Sequence, residues 1–279
     1  MSGIKAVPAP WKLKGTTWIF VLSGLLSNNN FPPGWVTPYQ TEALSQGGQF
    51  VGGPALVQLV SYSESPVGPY DELIYIPGRW EYEHNDPAFR ITRIYVSSKE
   101  SAENGRRNWN IPSQLSSSLH HPLTNIFPTT EQVANFSYTS GPDDTFRFTV
   151  SNPTTSNTTT TPTPFFSASA KPLLGIPLLS SLPIPFSTSL LGNYFSLMQP
   201  PLPPNPNISA HPEEIGTDKW AALTPVLKGG ATAISVIPGF EDGSVGDGVG
   251  FPKVKPLGVG GMIEGLELDF GVSEFFDSV

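Results

Sequence analysis

Proline and glycine break this chain so often that no long helix can run through it: 31 prolines and 27 glycines are spread over 279 residues. A proline inside a helix removes a backbone hydrogen bond and clashes with the preceding turn, while a glycine there loses more conformational entropy than any other residue. Between the breaks lie short runs rich in aromatic and β-branched residues, the pattern of strands joined by turns. The expected fold class is mainly β (α+β), antiparallel, with few short helices.

Strands are expected over Trp18–Leu26, Leu56–Ser63, Tyr70–Ile76 and Arg90–Ser97, and near the end over Thr232–Ile237 and Gly258–Phe270. Arg79, Glu81 and Glu83 alternate with Trp80 and Tyr82 at the two-residue period of a strand with one face in water. Ser98–Asn108 has mixed charge and no β-branched run, which predicts a short helix that Pro112 stops. Phe136–Tyr138 and Thr145–Val150 read as a hairpin, and Phe165–Ala170 as a further strand. The Ser/Thr/Asn/Pro tract 151–164 has little to bury and is expected to be a mobile insertion inside a single domain spanning 1–279. Leu173–Leu202 mixes Leu and Phe with Pro, the composition of an irregular cover or an amphipathic hairpin.

A net charge of −8 argues against nucleic acid or an anionic membrane as partner, since both demand a basic patch. The run Trp18–Leu26 is too short to span a bilayer and reads better as a strand than as a signal core. With no cysteine there are no disulfides, thiolate nucleophiles or Cys-type zinc sites, which suits a cytoplasmic setting. His84, His120, His121 and His211 are too dispersed for a metal-ligand spacing, so no metal is expected. Gly243–Gly250 is glycine-rich but lacks the flanking strand and helix of a nucleotide fingerprint, and no cofactor is expected.

Three regions, in order, carry a likeness to a known family. They are Pro10-Trp11-Lys12-Leu13, then Gly68-Pro69-Tyr70-Asp71-Glu72, then Arg93–Leu115 with Glu100, Gly105-Arg106 and Ile111-Pro112 in frame. The tail from Gly250 to Phe270 adds a fourth, looser piece. The chain resembles the acetoacetate decarboxylase-like superfamily, especially filamentous-fungal members, in which Asn-Gly-Arg-Arg-Asn-Trp-Asn-Ile-Pro is followed by lysine. The resemblance implies a β-barrel or cone, a small-molecule carbonyl substrate and a homo-oligomer.

It also marks a departure. Where the family carries two consecutive lysines this chain has Ser113-Gln114, and where the family has an active-site arginine near the first strand it has Thr16. Family chemistry needs an unprotonated lysine that attacks a ketone to form an imine. Acetoacetate decarboxylase is itself the standard example of an amine whose pKa is depressed for this purpose, and Ser113 cannot form an imine. Of the family's four active-site groups, the resemblance leaves Glu72.

The expected site therefore comprises Glu72 as general acid/base, with Tyr70 or Ser113 donating a hydrogen bond to a developing enolate. Trp109, Arg106, Gln114 and Thr16 are the expected substrate contacts, with a structural Arg106–Glu100 ion pair as the other role for Arg106. The expected function is an imine-free lyase, isomerase or cyclase of secondary metabolism acting on a β-keto or other carbonyl metabolite. Two alternatives stay open: a non-catalytic ligand-binding relative, and a decarboxylase with an amine relocated to Lys253 or Lys255.

Overall fold

The computed structural model describes residues 2–24, 30–115, 134–141, 144–152, 163–173 and 183–279. In chain order its strands are β1 (Trp11–Leu22), β2 (Gln49–Gly52), β3 (Ala55–Glu64), β4 (Tyr70–Ile76), β5 (Arg79–Glu81), β6 (Ala88–Phe89), β7 (Arg93–Val96), β8 (Ser113–Gln114) and β9 (Asn135–Ser140). They continue as β10 (Phe146–Ser151), β11 (Pro164–Pro172), β12 (Ile184–Ser187), β13 (Leu197–Gln199), β14 (Trp220–Leu223), β15 (Val226–Pro238), β16 (Pro256–Phe270) and β17 (Glu274–Phe276). The α-helices are α1 (Thr41–Ser45) and α2 (Lys99–Trp109), with 3-10 turns at Pro38–Gln40 and Thr188–Phe195. No helix among the described residues is long and apolar enough to cross a membrane.

The main sheet runs β8-β7-β4-β3-β1-β16-β15-β11-β10-β9, with β12 also on β15. All its pairs are antiparallel except β7 with β8. A smaller sheet, β17-β14-β13-β6-β5-β2, packs beside it. Strand alternation gives the main sheet two apolar faces. One carries Trp18, Phe20, Leu59 and Tyr75 together with Phe148, Phe166 and Ile234 from its far half. The sheet curls around this core, and the Tyr95 and Phe165 rings, on β7 and β11, meet at 4.6 Å. The other face carries Trp11, Leu13, Tyr62, Tyr70 and Ile74, covered by Ala102 and Trp109 of α2 and by Leu197.

The first strand begins at Trp11 and ends at Leu22, so it is longer at the start than expected; Leu25 and Leu26 fall outside the described residues. Lys12 and Lys14 hid it, yet both are exposed while Trp11 and Leu13, which alternate with them, are buried, a clean two-residue period. Arg90–Ser97 contains only a short strand, Arg93–Val96. The helix expected at Ser98–Asn108 is α2. The Ser98 hydroxyl caps its start by accepting from the Ser101 amide, and Asn110 ends it in the left-handed conformation, two residues before Pro112. Of the tract 151–164, residues 153–162 lie outside the described residues, as do 174–182 of the expected cover. The rest of that cover forms β12, the 3-10 turn and β13, with Ile184, Leu190 and Leu191 exposed and Leu197 and Met198 buried.

Candidate functional site

The register between β3 and β4 sets one wall of a cavity. Tyr62 faces Tyr70, Val60 faces Glu72, Gln58 faces Ile74 and Leu56 faces Ile76. Even-numbered residues of both strands thus share a face, and all of these except Val60 line a cavity of about 170 Å³. Helix α2 closes the opposite side through Ser101, Gly105 and Trp109, whose spacing of four aligns them on one helical face. Ser113 of β8 joins them. Phe186 of β12, Thr188 and Phe195 of the 3-10 turn and Leu197 of β13, together with Trp11, Leu13 and Leu268, complete a wall that is mostly hydrocarbon.

Glu72 is the acid of this wall. It is half-buried and lines the cavity. The Tyr62 hydroxyl donates to Oε2 at 3.3 Å, and Tyr70 supplies a second hydroxyl to the carboxylate. Ser101 in turn hydrogen-bonds Tyr70. Loss of hydration raises the Glu72 pKa, the two phenols lower it, and the first effect wins: the carboxyl is pushed up to about 7. Burial and the neighbouring carboxylate push both tyrosines well above their ordinary range, so they stay protonated donors.

Trp109 is fixed by an indole N–H donated to the Gly271 carbonyl at 2.7 Å and by edge-on contacts with Trp11 and Phe270. It forms a rigid wall. Gly105 has a steric reason: a Cβ there would lie 3.1 Å from the Ser113 hydroxyl. The cavity thus reaches Ser113 because α2 lacks a side chain at this position.

Three expected contacts are placed elsewhere. Gln114 alternates with Ser113 along β8 and so turns away from the cavity, where its amide donates to Thr37 and, at 3.3 Å, to Gln40. Thr16 is absent from the cavity wall: on β1 the wall residues are the odd-numbered Trp11, Leu13 and Ile19. Arg106 is fully buried on another side of α2, donating to the carbonyls of Ile215 and Pro203 at 2.7 Å each, beside Tyr39 and Glu214. Its expected pairing with Glu100 is not formed, since Glu100 is exposed and accepts from Ser98. Arg107, at the surface, pairs with Glu103 instead.

Lys253 and Lys255 are exposed and outside the cavity, and Lys253 is paired with Asp242 at 2.7 Å. Among the described residues no Lys, Arg or His lines the cavity at all. Gln58 is a wall residue that sequence reasoning missed; its amide donates to the Thr17 hydroxyl at 3.1 Å. Tyr62 was missed too, although its strand alternation with Gln58 is visible in the run Leu56–Ser63.

Histidine spacing concealed one cluster: a ring nitrogen of His211 and carboxylate oxygens of Glu213 and Glu214 lie within 4.8 Å of one another, the donor set that could hold a metal among the described residues. Glu213 is buried and neither of its carboxylate oxygens accepts a hydrogen bond from the described residues. His211 sits 3.6 Å from Glu213, which raises the imidazole pKa, and Arg106 lies beside Glu214.

No protein-family model matches this sequence. No curated protein matches it either. Its fold does have solved counterparts. Acetoacetate decarboxylase from Legionella pneumophila superposes with a TM-score of 0.55 at 10% identity, covering 97% of this chain and 88% of that one. A second acetoacetate decarboxylase structure gives 0.50 at 6% identity, covering 97% and 91%. With the β-dominated sheets described above, this likeness establishes that the chain is built on the acetoacetate decarboxylase-like fold.

Proposed function

We propose that the cavity is the active site of an imine-free enzyme in which Glu72 moves a proton on a small carbonyl compound. The observation that carries this reading is a carboxyl poised at about 7, held between two phenols in an apolar enclosure without a lysine on its described wall. A general base works best when its pKa lies near the working pH. Glu72 would take a proton from the carbon next to the carbonyl, and the electron pair of that C–H bond would move onto the carbonyl oxygen as an enolate. Ser113, or a Tyr70 hydroxyl freed when Glu72 becomes protonated, would donate to that oxygen. Return of the proton to a different carbon isomerises the compound, expulsion of a β-hydroxyl as water dehydrates it, and attack on an internal electrophile cyclises it.

The setting we propose is a cytoplasmic, homo-oligomeric tailoring enzyme of secondary metabolism, as the resemblance to fungal sequences implies. Two alternatives remain: the serine in the lysine frame also suits a relative that binds ligand without turnover, and Lys253 and Lys255, being at the surface, give little support to a relocated amine.

Hydrogen exchange separates catalysis from binding. Small ketones incubated with the protein in D2O should take up deuterium at the α-carbon, and Glu72→Gln should slow this by about 10²-fold or more, the usual contribution of a positioned base. Uptake no faster than in buffer would rule out proton transfer and leave the binding protein.

A further inference from the structure

Charge around the cavity points to a narrower class of ligand than the family resemblance suggests. Resting on the reading that the Glu72 cavity receives the ligand, we infer that the ligand is a neutral, compact carbonyl compound without a carboxylate. A β-keto acid would have to leave water as an anion and find a counter-charge on the wall. Among the described lining residues there is no Lys, Arg or His, and the one acid present is Glu72. An unpaired carboxylate in such surroundings suffers desolvation without compensation, and an ionised Glu72 adds repulsion.

The buried basic groups among the described residues are committed elsewhere. The Arg106 guanidinium faces Ile215, Pro203 and Tyr39 on another side of α2. Arg93 donates to Thr37 and Tyr95, and Arg90 to the carbonyls of Leu44, Gln46 and Gly47. None of the three is a wall residue.

What the wall does offer fits an uncharged polar atom. The Tyr62 and Tyr70 hydroxyls bear on Glu72, Ser101 bonds Tyr70 and Ser113 adds a fourth hydroxyl to the wall, while Leu227, Ile91 and Phe186 belong to the hydrocarbon remainder. A volume of about 170 Å³ is close to that of an apolar cavity of about 150 Å³ known to take benzene, so the ligand has about six to ten non-hydrogen atoms. The reactions left to a neutral substrate are isomerisation, dehydration and cyclisation; loss of carbon dioxide is not among them. The reaction that supplies the substrate must therefore deliver an uncharged ketone, aldehyde or ester.

Methyl levulinate and levulinate test the inference, because they share a ketone and a carbon skeleton and differ in charge. By calorimetric titration at pH 8, the ester should bind wild-type protein at least tenfold tighter than the acid. Gln58→Lys, which sets an ammonium on the same wall, should reverse or abolish the preference. Equal or tighter binding of the acid to wild-type protein overturns the inference, as does failure of methyl levulinate, 2-heptanone and cyclohexanone all to bind at millimolar concentration. Absence of α-hydrogen exchange with the ester preference intact sinks the catalytic reading and leaves this one standing.

Discussion

Tyr62 and Glu72 stand on neighbouring strands and meet on the diagonal: the phenol of β3 donates to the carboxylate of β4 at 3.3 Å, although the residue directly opposite Glu72 is Val60. Diagonal neighbours on one sheet face lie within reach when a side chain is long, and the tyrosine spans that gap. Tyr70, opposite Tyr62 and two residues from Glu72, completes the cradle. The carboxyl is therefore held by two hydroxyls that favour its charged form in an enclosure that disfavours it.

Removing either phenol should move the balance further toward the neutral acid. In Tyr62→Phe and Tyr70→Phe the Glu72 pKa should rise, because a hydrogen bond to the carboxylate is lost while desolvation remains. A neutral hydrogen bond contributes about 0.5–1.5 kcal/mol, which is up to about one pKa unit per tyrosine. The check is the carboxyl titration of Glu72, followed by infrared difference spectroscopy against Glu72→Gln. A midpoint that stays in place or falls would show that the phenols do not act on the carboxylate.

Stability should fall as pH rises through the same window. The folded-state pKa of about 7 lies above the ordinary 4.5, so the native state holds a proton that the unfolded chain has released. The contribution is fully present below about 4.5, fades between there and about 7, and by pH 8 costs at most roughly 3 kcal/mol. Glu72→Gln should flatten this dependence and unfold at a higher temperature than wild type at pH 8. Parallel thermal melts of the two proteins from pH 4 to pH 9 decide the matter, and superimposable pH profiles would contradict it.

Where the sequence was legible, a short-range signal coincided with a tertiary one. Mixed charge without a β-branched run marked α2, and the two-residue spacing of Tyr70 and Glu72 in a strand placed both on one face. Gln114 and Thr16 failed for a different reason. Residues adjacent in a strand point to opposite faces, so a one-residue uncertainty in a motif becomes a complete change of surroundings. Arg106 was misread because its partners, Pro203 and Ile215, lie about a hundred residues away in a proline-rich stretch whose path no local pattern records. The His211–Glu213–Glu214 cluster escaped because the spacing between histidines carries no signal for a set in which two of three members are carboxylates.

Arg106 should prove structural. It is fully buried beside Tyr39 and the buried carboxylates Glu213 and Glu214. Arg106→Met would remove the positive charge beside these carboxylates and leave two carbonyls without their donor, and each buried polar group left unsatisfied typically costs about 1–3 kcal/mol. The expected outcome in urea is a loss of that order, with ligand affinity of the remaining folded protein unchanged. Normal stability with lost binding would return Arg106 to the site.

Ser113→Lys puts an amine where the resemblance places the family's nucleophile, and the cavity has room for only part of it. Ser113 is 2% exposed and lines the wall beside Gly105, so the longer chain must extend into the cavity that Glu72 also lines. Overpacking of this kind costs about 1–3 kcal/mol, which thermal denaturation will register. Desolvation lowers the pKa of a buried amine and an ionised Glu72 raises it, so the free base accumulates as pH rises, and the trapping is best done on the alkaline side. Borohydride with a small ketone should therefore leave wild-type protein unmodified and add one ketone-derived group to the variant, located by peptide mass at residue 113. A lysine trapped in the wild type would contradict the imine-free reading, and an unmodified, folded Ser113→Lys would mean that position 113 does not open onto the space where the carbonyl sits.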